Sequence, residues 1–521
     1  MGKIFFNEDP NHFVFSRKLA GYERITMEDA RNFILQYKDT QITDFFVCLG
    51  ASGAWYDSRK TDNVMDTYRR WIKEGKTSEN DTNVGVSAVR LVENFYEDYG
   101  TSVQAVWVDT LREIGIHPWV SIRMNDIHEA EAEDSILHSG FFRENRHKNR
   151  VSHRKPSGYY EYALDYMFDE VREHYLTVIE EALERFDADG IELDFMREIF
   201  SIGIGREYEG IAVINAFMRE VYALVKKAEK QWGHPVKVAV RLPDTPEKAL
   251  RFGFDFFDWI EAGIVDCLIV TPRWGSSDNH MPIDLWKKIL KGKNITLAAG
   301  QEILIRPYNR RGFAPQANTY ETAIATACAH HFQEADAIYL FNYMDAVHTS
   351  DSLKNDDGRD ISLCLNPDIY RKFLCTVGDY DMAAAQRRRH MVTYSDVSAI
   401  GVPARVQLPM RLSGKREAPT TFRALRIATG KIAPSQSISV LLGFSAEESF
   451  QIQDLRVYLN AKACRLVGEE KPYAQQYPDM KYYRFEAENN GKESPVAVIE
   501  VGLCDGRTEL HWAEIEISEE K

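Results

Sequence analysis

The chain has 521 residues and a mass of 59.9 kDa, with 44% hydrophobic and 27% charged residues, a globular balance in a chain too long for one compact unit. A formal net charge of −15 and a pI near 5.5 exclude nucleic acid as the main partner, because phosphate binding needs a basic face. No run approaches ~18 uninterrupted apolar residues, so no membrane span is expected, and the opening MGKIFFNEDPNHF shows no signal peptide.

In chain order, short β-rich runs alternate with amphipathic helical stretches. The runs are HFVFSR (12–17), TDFFVCLG (43–50), IHPWVSIRMND (116–126), GIELDF (190–195), VKVAVRL (236–242), DCLIVT (266–271), ITLAAGQ (295–301) and AIYLFNY (337–343). Between them lie MEDARNFILQYK, VSAVRLVENFYEDYG, MFDEVREHYLTVIEEALERF, INAFMREVYALVKKAEKQW and YETAIATACAHHFQEA, whose apolar residues recur every three or four positions. Such alternation implies parallel strands joined by crossover helices, and eight units predict a (β/α)8 TIM barrel over 1–392. The rival, an open doubly wound sheet, lacks a GxGxxG after the first strand. Two connections, 51–85 and 127–165, are long enough to cover the barrel mouth, and the second is locally basic.

After Asp381 a polar stretch, AAAQRRRHMVTYSD, leads into RVQLPMRL, FRALRIA, SISVLLGF, DLRVYLN, ACRLVG, YYRFEA, VAVIEVGL and ELHWAEIEI. Strand-like runs at this spacing predict an all-β sandwich over 393–521. Seven cysteines, odd in number, scattered and without a CxxC pair, fit reduced thiols in a cytoplasmic protein.

Side chains alternate across a strand, so in GIELDF Glu192 and Asp194 point one way while Ile191, Leu193 and Phe195 point the other. Polar groups gather at one end of the other predicted strands. They are Arg123, Asn125, Asp126 and His128 after the third, Arg197 after the fourth, Arg241 and Asp244 after the fifth, and Arg273 and Trp274 after the sixth. Gln301, Glu302 and Arg306 follow the seventh, and Asn342, Tyr343 and Asp345 the eighth. A barrel enzyme recruits its catalytic groups from several strand ends at once.

Two carboxylates facing each other across a cleft suit glycoside hydrolysis, one protonating the leaving oxygen and the other attacking the anomeric carbon or activating water. Asp194 and Glu302 are the candidate pair. Glu192, Arg123, Asp126, Arg241, Trp274, Asn342 and Tyr343 are candidates for binding the carbohydrate substrate. Either Glu302 or its neighbour Gln301 faces inward, depending on register. A positive mouth built from Arg123, Arg241, Arg273 and Arg306 would suit a uronate-bearing or sulfated glycan. Alternatively, those arginines neutralise Glu192, Asp194 and Glu302.

The stretch ALDYMFDEVREHYLTVIEEALERFDADGIELDFMR (163–197) resembles a glycosyl-hydrolase-like family related to family 10 glycosidases. Leu164-Asp165, Glu170-Val171-Arg172 and Asp189-Gly190-Ile191 through Asp194 carry the likeness, and WVSIRMNDIH and IYLFNY look like that family's third- and eighth-strand segments. The resemblance implies a (β/α)8 barrel, action on a carbohydrate and a functional acid at Asp194. The same strand is similar to the family 18 chitinase signature, but Met196 stands where the catalytic Glu belongs.

Two other functions stay open. Asp126, Asp194 and Asp244 end three successive strands, a layout for a metal-dependent lyase or isomerase. A barrel without catalysis could bind glycans only. The glycosidase reading requires no metal and no cofactor.

Overall fold

The computed structural model describes residues 2–311, 313–344, 363–418, 420–445, 450–470, 477, 479–489 and 496–519. Eight parallel strands close into a barrel: β1 (Ile4–Glu8), β2 (Ile42–Cys48), β3 (His117–Arg123), β4 (Gly190–Asp194), β5 (Lys237–Pro243), β6 (Cys267–Thr271), β7 (Thr296–Glu302) and β8 (Ala337–Phe341). Each strand pairs with the next in sequence, and β1 closes the ring on β8 with Phe5 opposite Tyr339.

The first strand differs from expectation. HFVFSR forms no strand but lies in the helix Pro10–Leu19, and β1 is the run before it. The aromatic and branched alternation of 12–17 favours a strand, yet Asp9 caps Asn11 N and Pro10 occupies the first turn, which fixes a helix start there. The chain therefore delivers Asn7, Glu8 and Asp9 to the C-terminal end of β1, where part of the site is built.

The barrel interior is filled by Phe5, Phe46, Trp119, Ile269, Tyr339 and Phe341 with smaller residues between them. The Trp119 ring stacks on Phe46 at 5.0 Å and covers its register partner Gly190. A Cβ at Gly190 would lie 2.2 Å from two atoms of that ring. Gly190→Ala should therefore cost about 2–3 kcal/mol, the upper part of the overpacking range, because the ring is held from its other face. Urea unfolding of wild type and variant checks this, and an unchanged midpoint would show that Trp119 can move aside.

Both long connections follow strand C-termini and are ordered by short helices, Val64–Lys73 in the first and Gly140–Asn145 in the second. The C-terminal region is a sandwich of two antiparallel sheets. One runs Arg388–Met391, Gly506–Glu519, Gln436–Ser445, Met480–Ala487, Arg465–Glu470, with Met410–Gly414 also on Gly506–Glu519. The other runs Phe422–Ala428, Val496–Leu503, Leu455–Leu459, Lys462–Ala463. Leu425, Val440, Ile499 and Ile515 pack between them. Arg388–Met391, on the barrel side of a division at 392/393, already belongs to the first sheet.

The segment that follows is not a free linker. Asn279 bonds Met391 O at 2.9 Å and Thr393 Oγ1 at 3.0 Å, the Ser395 hydroxyl donates to Asp244, and Arg405 pairs with Asp278 at 2.6 Å. It lies against the ends of β5 and β6. No helix among the described residues is long and apolar enough to cross a membrane.

Candidate active site

On β4 the alternation is realised inside the barrel. Ile191, Leu193 and Phe195 are buried outward against the helices, while Glu192 and Asp194 face the interior, opposite Ser121 and Arg123 of β3. Asp194 Oδ1 accepts the backbone N–H groups of Met196 (2.8 Å) and Arg197 (2.9 Å), which turns the chain at the strand end. Its Oδ2 accepts from Arg241 Nη1 at 3.1 Å, and neither side chain is exposed to solvent by more than 1%. Such burial is tolerable only because the charges are paired.

Glu192 lies one layer deeper and accepts from Asn7 Nδ2 at 3.3 Å, with the Ser121 and Tyr339 hydroxyls beside its carboxyl. Burial, then the charge of Asp194, pushes its pKa up to about 7 against the opposing pull of those hydroxyls and Arg241.

Glu302 shares the inward parity of Ala298, which lines the barrel. Its Oε1 accepts from Asn342 Nδ2 (2.7 Å) and Ile303 N (3.2 Å), and Oε2 has no protein partner. Burial pushes its pKa up to about 8, outweighing Asn342 and Arg241. Asn342 holds a left-handed backbone, φ 61°, a conformation Asn tolerates better than most residues. Behind Glu302, the Ser277 hydroxyl bonds its carbonyl (2.5 Å) and its N–H (3.1 Å).

Arg241 stands between the two acids. Its Cζ lies 3.6 Å from the centroid of the Phe341 ring, and Nε and Nη2 have no protein acceptor.

A chain of alternating charge crosses the same mouth. Arg123 bonds Asp9 and, at 3.0 Å, Asp126. Asp126 bonds the His128 ring at 2.7 Å, and His128 meets Arg197. Glu198 then accepts from Arg197 (3.4 Å), Tyr159 (3.3 Å) and Arg273 (2.6 Å). Burial works against the charge of Asp126, but His128 and Arg123 outweigh it and hold the carboxyl well below its usual range. Glu198 moves the other way, because its burial outweighs Arg273 and Arg197.

Several candidates therefore take places other than those expected. Arg123 and Asp126 are buried and joined to each other. Tyr343 points out of the barrel, stacked on Phe373 at 5.4 Å, with its hydroxyl on Gln301 at 3.4 Å. The left-handed turn at Asn342 breaks the strand alternation that would have brought Tyr343 inward. Asp345 lies outside the described residues. Trp274 is at the rim, 42% exposed.

The positive mouth is balanced: Arg123, Arg197, Arg241 and Arg273 each meet a carboxylate, and Arg306 bonds the Tyr394 hydroxyl at 2.9 Å. The basic loop is likewise engaged. Arg143 and Arg146 hold backbone carbonyls, Arg150 lies over Phe200, and Arg154 pairs with Glu161 at 2.6 Å. Charge alone thus does not single out an anionic sugar.

The three aspartates of the metal reading do not converge. Asp126 holds Arg123 and His128, Asp194 holds Arg241, and Asp244 holds Lys248 at 2.9 Å together with Arg405. Among the described residues, no group of three His, Cys, Asp or Glu side chains could hold a metal ion. Asp189, within the resembling stretch, sits at the far end of β4 on His117 and Arg112.

Sequence reasoning missed Asn7 and Asp9, hidden by the misplaced first strand. It also passed over Tyr339, Glu198 and Asp396. Four positions after Asp194 and directly after the resembling stretch, Glu198 had a signal, whereas Asp396 had none.

No family model and no curated protein matches the chain. Solved structures do. A family GH18 chitinase from Chromobacterium violaceum is 8% identical, covering 98% of this chain and 91% of its own, with a TM-score of 0.38. The catalytic domain of GH30 xylanase C from Talaromyces cellulolyticus is 10% identical, covering 96% of each chain, with a TM-score of 0.35. A cycloisomaltooligosaccharide glucanotransferase from Paenibacillus is 10% identical over 98% of this chain, which spans 57% of that enzyme, with a TM-score of 0.32. These likenesses assign no residue of this chain a role.

Proposed function

We propose that the chain is a glycoside hydrolase working at the C-terminal mouth of its barrel, with Glu302 as general acid and Asp194 as its partner carboxylate. The observation that carries this is the state of Glu302. Its Oε1 is filled by two N–H donors and its pKa stands near 8, so at neutral pH the carboxyl is protonated and the proton resides on Oε2. Asp194 is fixed in place by Arg241 and two backbone N–H groups.

In the reaction, Oε2–H of Glu302 protonates the glycosidic oxygen as the bond to the anomeric carbon breaks. Asp194 either attacks that carbon, forming an ester that water hydrolyses, or takes a proton from the attacking water. The anomer released first, read by NMR, separates these routes.

The deciding experiment is a screen of aryl glycosides and glycans, including uronides and sulfated sugars, on wild type and Asp194→Asn with and without EDTA. Turnover should survive EDTA and fall by at least several hundredfold in the variant, within the ~10²–10⁴ range of a lost acid or base. Turnover abolished by EDTA would point to metal chemistry instead. Glycan binding without turnover in either protein would leave a binding barrel.

A further inference from the structure

We infer that Tyr160, Arg273 and Trp274 form a second sugar-ring subsite at the rim, so that the substrate is an oligosaccharide spanning the catalytic centre and this platform. This inference rests on the glycosidase reading and extends it to a substrate class. The Arg273 guanidinium lies 4.8 Å from the Tyr160 ring and 5.5 Å from the Trp274 ring. Most aromatic side chains of the barrel are fully packed, yet Tyr160 and Trp274 keep 39% and 42% of their surface open. Apolar ring faces beside a directional donor are what the C–H faces and hydroxyls of a pyranose require. Arg273 is itself only 9% exposed and is anchored by Glu198, so its guanidinium keeps a fixed place beside both rings.

The platform is joined to both catalytic acids through short covalent and hydrogen-bonded paths. Arg197 N–H donates to Asp194, and the next residue, Glu198, grips Arg273 at 2.6 Å. On the other side, residues 273–277 run to Ser277, whose hydroxyl bonds the Glu302 main chain. A ring seated on Tyr160 and Trp274 is thereby held in register with a bond presented to Asp194 and Glu302. Single glycosides would leave this platform unused.

Asp396 sets the loop from the segment leading to the C-terminal sheets. Its carboxylate accepts three successive backbone N–H groups, those of Arg273 (2.9 Å), Trp274 (2.8 Å) and Gly275 (2.6 Å). Asp396 is thus a positioning residue, and the C-terminal region contributes to the site rather than trailing from it.

The test is titration calorimetry of xylotetraose, cellotetraose, chitotetraose and maltotetraose into the full-length Glu302→Gln protein. At least one should bind. Trp274→Ala or Tyr160→Ala, added to that background, should weaken binding roughly three- to tenfold per ring, while Trp274→Phe and Tyr160→Phe retain most of it. Asp396→Ala should weaken binding without touching a ring, and Asp396→Asn, which keeps one accepting oxygen, should recover part. Equal affinity after both rings are removed, or no tetrasaccharide bound at all, overturns the subsite. If the rings govern binding but wild type cleaves no glycoside, the subsite stands and the hydrolase assignment falls. If aryl glycosides are cleaved but no tetrasaccharide binds, the reverse holds.

Discussion

Glu302→Gln should lower turnover about 10³-fold on any glycoside whose leaving group needs protonation. Wild-type activity should fall as pH rises through about 8, where Glu302 loses its proton, and the variant should lack that limb. Stability should fall with rising pH as well, over a wider window. An unfolded glutamate titrates near 4.3, so between that pH and about 8 the folded chain binds a proton that the unfolded chain has released. The stability contributed by protonated Glu302 is thus fully present below the unfolded pKa and is lost as pH rises through the folded one. Glutamine carries no proton to lose, so the variant should gain on wild type between pH 4.5 and pH 8. Rate profiles from pH 5 to 9.5 and urea titrations at the two extremes test both halves. Retained activity, or a stability difference indifferent to pH, would remove Glu302 from the acid's role.

Arg241→Met carries the second large effect. The methionine fills part of the space beside Phe341 but leaves Asp194 buried without its cation. Removing one partner of a buried pair costs about 3–5 kcal/mol, whereas removing both is often close to neutral. The single variant should therefore be strongly destabilised at pH 7 and less so at low pH, where the stranded carboxylate takes up a proton. Adding Asp194→Asn should restore most of the loss. If the double variant is as unstable as the sum of the singles, the two groups are not coupled and Asp194 is held by its backbone donors alone.

Most of the barrel was legible because its signals are local. Glu192 and Asp194 declared themselves by period-2 alternation between Ile191, Leu193 and Phe195, and the helices by their apolar stripes. β1 was misread where two local signals compete, an aromatic alternation at 12–17 and a capping Asp9-Pro10 pair, and the cap prevailed. That one slip hid Asn7, which bonds Glu192, and Asp9, which pairs with Arg123. Tyr343 was misplaced because strand parity cannot anticipate the left-handed residue before it.

By itself, then, the sequence determined the barrel, the later β region, the inward face of β4 and the strand-end position of Glu302, all matters of periodicity within a few residues. Only the tertiary structure decided the electrostatics of the mouth. Asp9 meets Arg123 across 114 positions and Asp396 reaches Arg273 across 123, so the pairing follows from ring closure and from the return of the C-terminal segment. Whether a carboxyl ends with a raised pKa like Glu302 or paired with an arginine like Asp194 depends on which distant donor arrives and how much water is excluded, and neither is encoded in its neighbours along the chain.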